Sequence, residues 1–187
     1  MKLYKKILLA TGLMLVMAPG VGSAHDDTEV IDFGDKLPQN AAEVHPSDNP
    51  YDVAAQAVAA FIRYTENQAE GEALLNVLKG PEPLNAFGKQ FLRDRLRGKE
   101  YVARSYILGT SPENKYTLQA PYQVAVARNP YSFQEENIAR LWLSSSGADS
   151  QRPIVLRRKP STGQWFLWTY EGVLADIRQP KGASAWD

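Results

Sequence analysis

The spacing of apolar residues changes once along this chain, and that change limits the folds it can adopt. Between residues 49 and 97 apolar side chains recur every three to four positions, as in helices that bury one face. After Gly98 they alternate with polar residues, and short stretches of turn-forming residues separate the alternating segments. Helices followed by strands indicate a segregated α+β domain.

Three helices are predicted in the first half of the chain. The first follows the cap Asn49 and ends near residue 67, the second spans about residues 69–79, and the third runs from the cap Asn85 to Arg97. The third helix is expected to bury the stripe formed by Phe87, Phe91, Leu92 and Leu96.

Five strands are predicted after the helices, joined by short turns. We therefore predict an α+β fold with three N-terminal helices packed on one face of a curved five-stranded antiparallel meander sheet. Consecutive cations at residues 157–159 favour an edge position for the fourth predicted strand, since charges protect exposed edges. The five strands are expected at residues 101–108, 122–128, 138–144, 154–159 and 164–170.

The first 24 residues have the pattern of a secretory signal peptide. Three lysines precede an apolar stretch at residues 7–17, and small residues end at Ala24. The alternative is an uncleaved anchor, because residues 7–24 carry no charge and just reach spanning length. Pro19 and Gly20 interrupt that stretch, so we predict cleavage after Ala24. The product is expected to be exported, either periplasmic or secreted, and to leave the membrane.

The remaining chain is predicted to contain one domain. Residues 25–48 are polar without a lasting period and are expected to form a flexible leader, with residues 30–33 pairing at most transiently on a sheet edge. A single globular domain is expected over residues 49–180, followed by a tail over residues 181–187.

Composition excludes several chemistries. The chain has no cysteine, so disulfides and thiol catalysis are excluded. It carries 21 basic and 21 acidic residues, and loss of the signal removes three lysines, so no basic footprint for nucleic acid is expected. His25 and His45 are the two histidines, and both fall in the predicted leader. Hydrolase triads and zinc sites therefore lack their ligands, and we predict no catalytic residues, cofactor or metal.

Two residue pairs leave alternatives to that prediction open. Cleavage after Ala24 would give His25 a free amino group, which together with His45 can bind copper; a solvated leader is the other interpretation. Glu135 and Asp149 can act as a hydrolase pair if a cleft holds them about 5–10 Å apart, whereas solvated turn acids are the structural interpretation.

Aromatic residues on neighbouring strands are the best candidates for a binding surface. Trp165 and Leu167 share one strand face, whereas Phe166 and Trp168 share the other, and Trp142 lies on a strand nearby. One set must be core, and the other either binds a partner or is covered by the rest of the chain.

Two further candidates are polar. Ser145 and Asp149 lie in the loop 144–150, whose small residues suit an anion or glycan site as well as a plain turn. Arg93 and Arg97 lie one turn apart near the end of the third helix, where they can clamp an anion or simply complement the helix dipole.

Several stretches together resemble an uncharacterised bacterial domain family, a domain of unknown function. The resemblance covers about residues 49–180, is carried by the stretches below, and implies no activity. The order of elements and the turn at Gly163 are also similar to cystatin-like and nuclear-transport-factor-like cone domains, which implies a pocket between helices and sheet. The stretches are NPYDVAA (49–55), KQFLRDRLRGKEYVARSY (89–106), SSGADSQRP (145–153) and GQWFLW (163–168).

These observations together favour a binding protein. We predict an exported, non-enzymatic accessory domain that holds a small ligand, a protein or a cell-envelope partner near the tryptophans and the loop 144–150. The alternatives are a carboxylate-based envelope hydrolase and an inhibitor or immunity protein.

Overall fold

The computed structural model describes residues 27–183, and it confirms the predicted α+β class with a five-stranded antiparallel sheet. The predicted signal peptide, His25 and residues 184–187 lie outside this range. Within it, no helix combines the length and hydrophobicity that a membrane span requires. The elements are β1 (Asp27–Asp32), α1 (Pro50–Glu66), α2 (Gln68–Lys79), α3 (Ala86–Leu96), α4 (Glu100–Arg104), β2 (Gln123–Arg128), β3 (Ile138–Leu143), β4 (Arg152–Arg158) and β5 (Trp165–Thr169), with 3-10 turns at Ala41–Glu43 and Glu171–Leu174.

The sheet is an open meander in which strands that are neighbours in sequence are neighbours in space. Its order is β1-β2-β3-β4-β5, and every adjacent pair is antiparallel. Helix α1 contacts all five strands on one face of the sheet. Side chains from alternate positions, such as Leu141, Leu143 and Leu156, form the fully buried inner layer.

Helix α1 is the centre of the core. Its middle is apolar on all sides and rich in alanine, and twelve of its seventeen residues are buried, as expected of a helix enclosed by other elements. The Asn49 side chain caps it by accepting a hydrogen bond from the Tyr51 amide at 2.9 Å.

Helix α2 crosses α1 at Gly71 with no room for a side chain. A Cβ atom at Gly71 would lie 2.2 Å from the Cα of Tyr64. The close approach lets Leu74, Leu75 and Leu78 of α2 become fully buried.

The structure differs from the flexible leader expected over residues 25–48. Strand β1 pairs with β2 along its whole length, with Ile31 opposite Val124, and Leu37 and Val44 join the core cluster. These few apolar anchors are enough to hold an otherwise polar segment. The folded unit therefore begins before the boundary expected at Asn49.

The strand predicted over residues 101–108 is wrong. This segment begins as α4 and continues in turns, with one isolated bridge to β2. The buried apolar positions are Val102, Ala103, Tyr106 and Ile107, so the first pair recurs four residues later as the second. That is a helical spacing, which the alternation of polar and apolar letters obscured. Strand β1 supplies the fifth strand in its place.

Two smaller predictions also need correction. Helix α3 buries Leu92 and Leu96, but Phe87 is 73% exposed. Strand β4 lies between β3 and β5, so the cations at residues 157–159 do not mark a sheet edge. They are tolerated because Arg157 lies on the outer face and Arg158 ends the strand, where its Nε donates to the Gly163 carbonyl at 3.1 Å.

Candidate functional site

A β-bulge in β5 exposes a tryptophan. Val155 pairs with Thr169 and Leu156 with Leu167, so Trp168 is the extra residue with no partner in the ladder. A bulge re-aims its side chain and increases the local twist. Trp168 is 40% exposed, which is unusual for so large an apolar side chain.

Beside Trp168 lies an open groove of about 250 Å³. Its apolar part is built from Phe166 and Leu167 of β5 and from prolines 81 and 160. Phe166 packs against the end of α2, where a Cβ at Gly80 would lie 2.3 Å from its ring. The positive φ of 56° at Gly80 also favours glycine. Gly80 therefore shapes the groove. We call this groove, lined by the residues above, the Trp168 groove.

Cations surround the apolar part of the Trp168 groove. Lys79 and residues 157–159 contribute four positive charges, against one acid, Glu82. The Arg157 guanidinium lies 5.6 Å from the centre of the Trp168 ring and 3.3 Å from the Glu82 carboxylate. Both partners of this ion pair are more than half exposed, so it contributes little stability and can open for a ligand.

Lys79 joins the groove to the core. Its Nζ donates to the Trp168 carbonyl at 3.3 Å and lies 5.8 Å from the centre of the Tyr170 ring. Burial lowers the pKa of Lys79, and the charges of Glu171 and Glu82 oppose that shift. The groove therefore holds a cation that lacks full hydration, which strengthens its attraction for an anion.

The three predicted tryptophans do not form one surface. Trp165 is 8% exposed, with its ring 6.3 Å from that of Phe133, so it belongs to the core. Trp142 is half-buried on β3, opposite Ala127 and Pro153, and does not line the Trp168 groove. The prediction that Trp165 and Trp168 lie on opposite faces is consistent with this arrangement.

The serine-rich loop is bonded internally. The Ser145 hydroxyl donates to Ser105 Oγ at 2.8 Å and accepts from the Gly147 amide at 3.1 Å. The Asp149 carboxylate is exposed and pairs with Arg178. These contacts hold the loop to the body of the domain and favour the turn interpretation over an anion site.

The proposed carboxylate pair is separated. Glu135 precedes β3 and Asp149 follows it, so the two lie at opposite ends of a six-residue strand, roughly 20 Å apart. Both are exposed. This distance exceeds what a glycosidase pair uses.

No metal centre is evident within residues 27–183, where no cluster of three or more potential ligands occurs. The copper hypothesis requires His25, which lies outside those residues. His45 lies in a folded segment, since its amide donates to the Gln56 side chain at 2.8 Å.

Arg93 and Arg97 do line one hollow together. It lies between the end of α1, the start of α2 and the end of α3, and Tyr64 also lines it. This hollow is separate from the Trp168 groove, with which it shares no lining residue.

Comparison with known families identifies the domain. A family model for a domain of unknown function, DUF6935, matches residues 36–181. The chain belongs to this family. No curated protein and no solved structure matches the chain.

The DUF6935 match contains both the groove and the hollow, whereas β1 precedes it. Trp168, Arg93 and Arg97 could be selected from the sequence, and Phe166 could be placed on the same strand face as Trp168, but Lys79 and Arg157 were not predicted as partners. Strand alternation places Arg157 opposite Phe166 only once the register is known. The one feature of the sequence that singles out Lys79 is its position at a helix end, directly before Gly80 and Pro81.

Proposed function

We propose that this DUF6935 chain is an exported, non-enzymatic binding protein whose Trp168 groove holds an acidic segment of a partner protein. The observation that carries the proposal is an exposed tryptophan, re-aimed by a bulge, between an apolar floor and four cations. Trp and Arg are the residues most often found at the energetic centres of protein interfaces.

The chemistry of the groove supports an amphipathic anion. Phe166, Leu167 and the two prolines offer a surface for an apolar side chain, and the Trp168 ring can cover it. Lys79 and the cations at residues 157–159 would face acidic neighbours of that side chain. The full chain has a formal net charge of zero, and loss of three signal lysines makes the exported chain mildly acidic, so this positive charge is local and complements an acidic partner.

The size of the groove favours an anchor side chain over an enclosed small molecule. Its volume of about 250 Å³ is below the 300–1,000 Å³ typical of small-molecule pockets. One large side chain inserted from a partner surface fits such a groove, with flanking residues on the rim.

Selection from a random peptide library displayed on phage tests this proposal. The wild-type protein should enrich peptides with an aromatic or aliphatic residue flanked by Asp or Glu. Trp168→Ala should abolish the enrichment, because it removes one wall of the groove. Tyr131→Ala is the matched control, since Tyr131 is also an exposed aromatic residue, at 67%, but lies outside the groove.

Enrichment that survives Trp168→Ala, or that shows no acidic preference, would refute the groove assignment. Export is tested separately by N-terminal sequencing of the protein from fractionated cells. A mature chain that starts at His25 in the exported fraction is expected, and an intact chain confined to the cytoplasm would refute export.

A further inference from the structure

The hollow between α1, α2 and α3 has the features of an anion site. It measures about 440 Å³ and is lined by Tyr64 and Thr65 of α1, Gln68 of α2, and the end of α3. We call it the Tyr64 hollow. Its wall combines guanidinium, hydroxyl and amide groups, which are hydrogen-bond donors suited to oxyanions.

Tyr64 is the most informative residue of this hollow. The side chain is 95% buried, since its residue is 5% exposed. Its hydroxyl is buried and has no hydrogen-bond partner of normal geometry among residues 27–183, although the Arg93 guanidinium lies close enough to lower its pKa against the effect of burial. Buried polar atoms in native proteins nearly always have a partner, so this hydroxyl is available to donate to a ligand. Burial also raises the pKa of Tyr64, so the hydroxyl remains a donor at neutral pH.

Two cations line the same hollow as Tyr64. Arg93 lies in the last turn of α3, Arg97 is the residue that ends the helix, and both are exposed. The Arg93 Nη1 donates a long hydrogen bond to the Gln90 side chain at 3.3 Å. In the part of the chain that the structure describes, neither forms an ion pair with a carboxylate.

The nearest acid is already neutralised. Burial raises the pKa of Tyr64 first, and the charge of Glu72 adds to that effect, so this carboxylate is close by. Glu72 accepts a hydrogen bond from Gln68 at 2.9 Å and pairs with Lys89 at 2.9 Å. The Arg93 charge also acts on Glu72, but among residues 27–183 neither Arg93 nor Arg97 has a carboxylate in ion-pair contact.

We propose that the Tyr64 hollow binds a phosphate group. The two guanidinium groups would each bind phosphate oxygens, and the Tyr64 hydroxyl would donate to a third. Two positive charges match a dianion better than a single carboxylate. Arginine forks are also suited to the geometry of phosphate.

Isothermal titration calorimetry with inorganic phosphate tests the site, with sodium chloride at matched ionic strength in every cell. One saturable site is expected. Arg93→Met and Arg97→Met should each weaken it by about tenfold or more, because each removes a charged hydrogen bond worth more than about 1.4 kcal/mol. Arg95→Met is the matched control. Arg95 lies between them on α3, but its guanidinium packs 5.5 Å from the centre of the Phe91 ring.

The Tyr64→Phe variant distinguishes a role of the hydroxyl in ligand binding from a role in the stability of the fold. If the hydroxyl serves the ligand, the variant should bind phosphate more weakly while the melting temperature of the free protein stays equal or rises. Phosphate should raise the melting temperature of the wild type more than that of the variant. Loss of stability without loss of affinity would overturn the role of Tyr64.

Two comparisons complete the test. Acetate at the same concentration should bind at least about tenfold more weakly than phosphate. A phosphate monoester such as glycerol phosphate then distinguishes the source, since tighter binding of the ester indicates a phosphorylated molecule and tighter binding of inorganic phosphate indicates the free ion. No saturable phosphate binding, or an equal loss in Arg95→Met, would overturn the proposal.

Discussion

Gly71→Ala provides the sharpest test of how α1 and α2 pack. In an isolated helix this change would stabilise α2 by about 1 kcal/mol, because alanine is the better helix former. Here the new Cβ would lie 2.2 Å from the Cα of Tyr64 and 2.4 Å from its backbone nitrogen. Backbone atoms cannot rotate away, so the helices must separate. Overpacking of a core costs about 1–3 kcal/mol, and a backbone clash belongs at the upper end.

The net expectation is a loss of about 2 kcal/mol in the free energy of unfolding, the overpacking cost less the gain in helix propensity. Gly88→Ala in α3 is the matched control. Its Cβ would meet the Cδ2 atom of Leu84 at 3.3 Å, the flexible end of a side chain, so a change between 0 and about +1 kcal/mol is expected.

Urea denaturation followed by tryptophan fluorescence measures both variants, with buried Trp165 as a reporter. The same substitution is expected to change the free energy of unfolding in opposite directions in the two helices. A Gly71→Ala variant as stable as the wild type would show that the helices are not in backbone contact at this crossing. Equal destabilisation by Gly88→Ala would show that replacing either helical glycine lowers the free energy of unfolding, whether or not the new Cβ meets backbone atoms.

Three further predictions concern the edge, the cap and alkaline pH. Deletion of residues 27–33 should lower the urea midpoint, because it exposes the edge of β2 and removes the partly buried Ile31 and Phe33. Asn49→Ala should cost about 1 kcal/mol in the same assay, since it removes the cap of α1. Burial raises the pKa of Tyr106 above its ordinary 10.0, so its contribution is present below pH 10 and is lost as the pH rises further. Urea midpoints should therefore fall above about pH 10, and less steeply in Tyr106→Phe.

The helices α1 and α2 could be predicted from the sequence because local signals agree with tertiary packing there. Asn49 and Asn67 both cap as their side chains suggest, and Gly80 ends α2 with a positive φ. The prediction for residues 101–108 was wrong because its six apolar residues, in two groups of three, fit a strand and a short helix equally well. Burial decides between them, and burial depends on α1 and β2, which are distant in sequence.

The prediction of a flexible leader where β1 forms was wrong for a related reason. A strand at a sheet edge needs few apolar residues, because one side faces solvent and the ladder supplies much of its order. Five of its six residues are exposed, so composition resembles that of a flexible segment. Its pairing partner lies about a hundred residues away, and no local pattern reports a contact over that separation.

The two candidate sites differ in how much of each could be predicted. Strand alternation correctly separated Trp165 from Trp168, but alternation cannot show a bulge, and the bulge is what turns Trp168 towards Lys79 and Arg157. The Arg93 and Arg97 pair follows from helical spacing alone. Its functional meaning does not, because it depends on the Tyr64 hydroxyl in the same hollow, and the close crossing at Gly71 positions Tyr64. Helix packing and the proposed phosphate site are thus linked: Gly71→Ala should weaken phosphate binding in addition to stability, whereas Gly88→Ala should change neither by much.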